Sequence, residues 1–366
     1  MDVMDLSNDK KIYCVYFLNL LISGFFYSFM TGTLIRFNNQ NTLLILLISS
    51  VIDLLLLLGL KKTTVIQSIS LRNYSWITFL ICSMFFGLIS FKDQLELYLL
   101  MYSVITLLIS CMALILQEQI LKVELSLTTG FFNIQLLRNG SKMLGFFLGI
   151  LLSGDSLRMF FLYLCMIFLF FNSLFSFSLT EKVQLESVQR QVGILGKESY
   201  LLLGITGTTM VIWIPLITKT FIEGGLDTIS WLPFLLPGIT SILLIQLQKK
   251  HMWLFTSTVI EYIALLLFVL FFSLRILSIF PILQAIIFSF LTACLISLGI
   301  KVRKYFLQVN QENDMKYILQ TLTVNGSFFS ILLSLFGREA TFLEIGLFVL
   351  NLLVIFYLLF RKEKYL

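Results

Sequence analysis

Long apolar runs alternate with short polar breaks from one end of this chain to the other. A membrane-crossing helix needs ~20 mostly apolar residues. Runs of that kind lie near 12–34, 42–60, 74–90, 95–116, 129–152, 157–179, 199–221, 229–248, 252–273, 276–299, 317–336 and 341–360. Apolar residues are continuous within them and lack the two-residue alternation of a barrel strand. Backbone groups in lipid must bond one another, so each run is read as a helix. The pattern predicts an all-α polytopic membrane protein of about twelve transmembrane helices, numbered spans one to twelve.

Composition agrees. The 366 residues are 58% hydrophobic and 13% charged, with a mean hydropathy of +0.96. Soluble domains average roughly 45–50% apolar and about 25% charged residues, and one aqueous core cannot hide this much apolar surface. The longest polar gaps are Thr180–Glu198 and Lys301–Lys316. No loop is large enough for a catalytic domain, and no GxxxxGK[ST] run offers a nucleotide site. No His/Asp or carboxylate cluster stands ready for lipid chemistry, so the expectation is a protein that is not an enzyme. The five cysteines are scattered without a CxxC pair, and the single histidine, His251, follows Lys249-Lys250 at a span end. Metal sites of the His/Cys kind are excluded on this reading and no cofactor is expected.

The net charge of +6 matters through its distribution. With the N-terminus inside and the sides alternating, the inner tails and loops hold eighteen basic residues and the outer ones six, while Arg138 and Lys142 fall within span five. The positive-inside rule then places both termini in the cytoplasm of a multi-pass plasma-membrane protein. The basic residues are orientation anchors, and nucleic acid is not an expected partner. The start, MDVMDLSNDKK, reads as a short cytoplasmic tail before span one, without a convincing cleavage site. The composition, rich in Phe, Leu and Lys and poor in proline, is that of a low-GC bacterium.

Three landmarks repeat at nearly one offset. Lys61-Lys62 ends span two and Lys249-Lys250 ends span eight, 188 residues on; Asn139-Gly140-Ser141 recurs as Asn325-Gly326-Ser327 after 186, and Lys11 precedes span one as Lys197 precedes span seven, again 186 apart. The spacing predicts two parallel six-helix repeats: an N-terminal half over 1–179, a cytoplasmic linker over 180–198 and a C-terminal half over 199–366. Parallel six-helix repeats are one large transporter arrangement, with substrate held near the midplane between the halves.

Here the chain resembles the major facilitator superfamily. Exporters of that family often carry Gly-x3-Gly-Pro-x2-Gly-Gly in the fifth helix. In this chain Ser141, Gly145 and Gly149 keep small positions of that run, while Phe146 and Ile150 replace the proline and the last glycine. Of the family's loop motif between helices two and three, only Gly59-Leu60-Lys61-Lys62 remains, without its acidic member. Pro237-Gly238 fits a family habit of breaking the eighth helix. By the same resemblance, spans one, four, seven and ten line the cavity. They offer Asn19, Tyr27 and Thr31; Tyr98, Tyr102 and Thr106; Thr208, Thr209 and Trp213; and Gln284, Ser289 and Thr292. Hydroxyls and aromatic faces suit an apolar or amphipathic cargo better than a sugar or dicarboxylate, although Ser and Thr also pack helices together.

Ionisable groups inside a membrane cost roughly 2.5–3.5 kcal/mol on insertion scales and are functional suspects by default. Asp53 in span two, Arg138 and Lys142 in span five, and Glu261 in span nine are such groups. Asp53 has nothing polar after it for two turns, and burial disfavours its charged form, as a proton-coupling site requires; the alternative is an acid that holds helices together. Glu261 has the same two readings. Arg138 and Lys142 share one helix face, about 6 Å apart along the axis. They need a water-filled cavity, an acid such as Asp53 or Glu261, or an anionic cargo group, unless they snorkel to the headgroups. The ladder Ser141-x3-Gly145-x3-Gly149 is a helix-packing feature, expected to give a close contact on which the halves rock.

The resulting expectation is a monomeric, proton-coupled secondary transporter that exports a hydrophobic or amphipathic small molecule or peptide by alternating access. Its partners are the lipid bilayer, its cargo and protons. The competing expectation is a non-transporting membrane accessory or immunity protein of a peptide or bacteriocin system.

Overall fold

The computed structural model describes residues 8–37, 130–153, 158–177, 213–277 and 280–309, with single helical positions between 77 and 109 and between 345 and 356. Asp53, Tyr98, Tyr102, Thr106, Thr208, Thr209, the 180–198 linker, the Gly59–Lys62 motif and the second Asn-Gly-Ser lie outside the described residues. Every regular element among the described residues is helical.

Span one is a helix over Asn8–Phe37, span five over Gly130–Leu151 and span six over Arg158–Phe177. The described part of span seven is helical over 213–223. A 3-10 turn, Asp227–Ile229, leads into span eight, Leu232–Lys250. Span nine differs from the single run expected: a short helix, Met252–Thr256, is followed by Val259–Ile276. The break falls in Thr256-Ser257-Thr258, where Ser257 turns extended, and Ser and Thr are weaker helix formers than Leu. Span ten runs over Pro281–Val309, well into the polar gap expected after Gly299. No Gly or Pro stands between Lys301 and Val309 to stop it. Its 29 residues measure roughly 44 Å against a hydrocarbon core of about 30 Å, so it tilts or projects from the bilayer. Span eight also departs from expectation: the helix continues through Pro237 instead of breaking. Pro237 costs one backbone bond, and such prolines are tolerated where neighbouring helices surround them.

Two apolar clusters form the interior. One gathers Val15, Ile22, Phe25, Phe26 and Phe29 of span one with Ile81, Ile105, Ile134, Cys165 and Leu169. The other gathers Trp213, Ile217 and Phe221 with Phe234, Phe268, Phe271, Phe288 and Leu291, and draws in Ile150, Tyr27 and Phe146 from the N-terminal part. Spans six and nine turn their remaining apolar residues outward. Phe160, Tyr163, Ile167, Phe170 and Leu174 form an exposed stripe on span six, and Tyr262, Ile263, Leu266, Val269 and Leu270 another on span nine. Stripes of this size, at helical spacing, are lipid-facing surface.

Lipid supplies no hydrophobic drive between helices, so packing and polar contacts hold them. Spans one and five meet backbone to backbone. A Cβ on Gly145 would strike Leu21 O and Phe25 N, and one on Gly149 would strike Phe25 O and Ser28 Oγ. Span one answers with its own ladder: a Cβ on Gly24 would meet Lys142 O, and one on Gly32 would meet Ser153 and Ile150. The Ser28 hydroxyl turns back to Gly24 O at 3.1 Å, which satisfies it without filling the gap. Spans eight and ten are joined by hydrogen bonds from Thr240 Oγ1 to Ser289 O, 2.8 Å, and from Gln248 Nε2 to Ser297 Oγ.

Gly149→Ala should lower stability by about 1–3 kcal/mol through overpacking, read as a fall in the thermal midpoint in lipid nanodiscs. Gly140→Ala should leave the midpoint unchanged, because a Cβ there finds nothing nearer than Ile242 Cδ1 at 3.8 Å. Equal responses would show that spans one and five are not in close contact.

Candidate functional site

Span five is held on two sides. Span one takes the face of Ser141, Gly145 and Gly149. Span eight crosses another face in the opposite direction. Lys249 Nζ donates to Asn133 Oδ1 at 2.8 Å near one end. In the middle a Cβ on Gly238 would run into the Met143 side chain. Near the other end the Phe147 ring stands edge-on to Trp231, centroids 5.6 Å apart. The ladder, expected to form the contact on which the proposed halves rock, packs against span one, and Gly238 with Met143 makes the close approach to span eight.

Lys142 lies twelve residues after the helix start at Gly130, roughly 18 Å along the axis and near the middle of the span. Leu144 and Leu151, both 41% exposed, lie two and nine residues on, which is roughly half a rotation away. They face outward, so Lys142 faces the protein. It is nevertheless only half-buried, as is Arg138 one turn before it. One turn after Lys142, on the same face, Phe146 meets Tyr27 of span one at 5.8 Å and Phe234 of span eight at 6.0 Å. The mid-span lysine thus lies one turn from a cluster of three rings drawn from three spans.

Glu261 is not the partner of this cationic pair. It sits in the first turn of Val259–Ile276, where a helix N-terminus favours an acid. Its Oε1 accepts from Lys301 Nζ at 2.8 Å, with side chains 11% and 14% exposed. Lys301 also donates to Ser257 O at 2.7 Å, a carbonyl at the break in span nine. Lys301 therefore joins span ten to both sides of that break. Among the described residues, neither Arg138 nor Lys142 has a carboxylate partner.

The remaining expected site residues are dispersed. Asn19 is buried in span one, and neither its Oδ1 nor its Nδ2 has a hydrogen-bond partner. Thr31 lies in the span-one helix. Trp213 is fully enclosed, its ring edge-on to Phe271 at 5.0 Å. Gln284 donates from Nε2 to Leu274 O at 3.1 Å, tying the ends of spans nine and ten together. Ser289 offers its carbonyl to Thr240, and Thr292 is buried. Ser141 is buried with its hydroxyl on Leu137 O at 2.8 Å.

Sequence reasoning missed three features. The span-one ladder Gly24-x3-Ser28-x3-Gly32 was visible by the same four-residue spacing that marked span five. Gly238 as a close approach and Lys301 as a buried partner had no local signal.

No family model and no curated sequence matches the chain. Solved structures match in fold. The chain is similar to the human organic anion transporter MFSD10 (TETRAN), with 14% identity, a TM-score of 0.61 and coverage of 96% of this chain and 100% of that one. It is also similar to a bacterial homologue of the iron transporter ferroportin in an outward-facing state, with 10% identity, a TM-score of 0.64 and coverage of 96% and 97%. Both are named as transporters or their homologues. The fold of this multi-pass helical membrane protein is the one these two transporters share.

Breaking the buried pair should cost more than removing it. Lys301→Met strands Glu261 and should destabilise by about 3–5 kcal/mol, whereas Glu261→Gln with Lys301→Met should recover most of that loss. A double-mutant cycle on thermal midpoints in nanodiscs reads the coupling; a coupling of zero would mean the two side chains do not interact.

Proposed function

We propose that this chain, built on the major facilitator fold, is a secondary active transporter. It exports a hydrophobic or amphipathic small molecule or peptide across the plasma membrane, coupled to protons. The observation that carries the reading is the likeness in fold, over nearly the whole of each chain, to two transporters. The long contact between spans five and eight supports it further. Spans five and eight belong to the proposed halves 1–179 and 199–366, and their contact is dominated by rings and a glycine–methionine fit. Such a surface lets two bodies rock about a midplane site, as alternating access requires. The charge distribution along the sequence supports cytoplasmic termini. Export draws its support from the small-residue run of span five.

The proposed working residues are Lys142 and Arg138 facing the cargo and Asp53 carrying the coupling proton. Tyr27 and the hydroxyls of spans one, four, seven and ten line the path. The test is reconstitution into proteoliposomes with an imposed pH gradient and a panel of amphipathic dyes and peptides. Gradient-driven flux that stops when an ionophore collapses the gradient is the expected result. A gradient that drives nothing across the whole panel would favour the accessory or immunity role instead.

Two variants sharpen this. Lys142→Ala should reduce flux several-fold more than Arg138→Ala, since Lys142 is nearer the middle of the span. Wild-type flux from both at matched expression would remove the pair from the path. Asp53→Asn should uncouple flux from the pH gradient; full retention of gradient dependence would exclude Asp53 as the coupling acid.

A further inference from the structure

We infer that the cargo is an amphipathic anion, whose charged head binds Lys142 with Arg138 beneath it and whose apolar body lies against the rings of Tyr27, Phe146 and Phe234. Three independent observations lead there. The first is position. Lys142 is more than three turns from the Gly130 end and points away from the lipid-exposed Leu144 and Leu151. A lysine in that place does not serve the headgroups of either leaflet. It is half-buried on that inward face.

The second is charge. Arg138 and Lys142, one turn apart, repel each other. Glu261, an acid that could have offset them, is engaged with Lys301 on another pair of spans. Two cations at mid-span, facing inward with no carboxylate partner among the described residues, form a site for an anionic group. An ammonium and a guanidinium suit a carboxylate, sulfonate or phosphate equally as a class.

The third is what surrounds the charge. Phe146 bridges Tyr27 and Phe234, rings contributed by spans one, five and eight. Apolar walls beside a small number of placed charges are the usual make-up of a site for an amphipathic ligand. The rings come from both proposed halves, so a ligand lodged under them touches both.

The inference rests on the transport reading, and its test therefore measures binding apart from flux. The probes are 8-anilinonaphthalene-1-sulfonate and its uncharged parent ring system, N-phenyl-1-naphthylamine. They are titrated against the purified full chain in nanodiscs by energy transfer from tryptophan, with empty nanodiscs subtracted. Wild type should bind the sulfonate at least tenfold more tightly than the neutral dye. Lys142→Met, which keeps the length of the stem, should lose that tenfold preference while neutral-dye binding stays unchanged, and Lys142→Arg should retain the preference. Gel filtration and thermal midpoint check that each variant is folded.

Equal binding of the two dyes by wild type would overturn the inference, because it would mean the cations are already neutralised. So would a Lys142→Met variant that weakens both dyes equally, since the lysine would then only shape the site. A lysine-dependent preference without gradient-driven flux of any cargo would uphold the anion site and count against transport. Flux of neutral cargo with no anion preference would do the reverse.

Discussion

The close approach of spans one and five is the contact on which the described structure depends. Helices in lipid gain nothing by hiding apolar side chains from a solvent that is itself apolar. What they gain is dispersion between well-fitted surfaces, which fades steeply with even a small gap. Gly145 and Gly149 place span five directly on the backbone of span one, and Gly24 and Gly32 reciprocate. This contact sets the rotation of span five about its own axis. That rotation sends Leu144 and Leu151 to the lipid, Met143 and Phe147 to span eight, and Lys142 inward. A larger residue in the ladder would disturb the contact and the direction of the lysine together.

Span five therefore joins three environments through three faces of one helix. Its glycine face is rigid and fixed. The face toward span eight is mostly rings and a methionine, with the Lys249–Asn133 hydrogen bond at one end. Spans eight and ten are tied differently, by hydrogen bonds through Thr240 and Gln248. Directional bonds resist sliding more than ring contacts do. The structure thus places stiffer links within the C-terminal part and a more yielding surface between spans five and eight.

Much of this was legible in the sequence. The apolar runs located spans five and six almost to the residue, because a hydrophobic length is a direct record of a membrane crossing. The ladder in span five was legible as packing, but its partner was not. Spacing along one helix fixes which residues share a face and not which neighbour that face meets. The same gap explains Glu261, which read either as a coupling acid or as an acid that holds helices together, and whose partner Lys301, forty residues away, the spacing could not name. Pro237 read as a break by resemblance to a family habit, yet a helix enclosed by neighbours absorbs the one backbone bond that proline costs. The break in span nine went unread because Ser and Thr are ordinary residues inside membrane helices, and only their run of three hinted at an interruption. Span ten outran its apolar stretch because helix formation, unlike membrane insertion, does not stop at the first lysine.

Gly238 and Met143 occupy one shared volume. The methionine fills the space that a side chain at 238 would need. Position 238 is not free to grow alone, yet a smaller residue at 143 makes room for a larger one there. Over evolutionary time the two sites are constrained to exchange bulk, and to do so between helices far apart in the chain. Covariation between them would be a record, kept in descendants of this sequence, of how closely the two helices have had to approach.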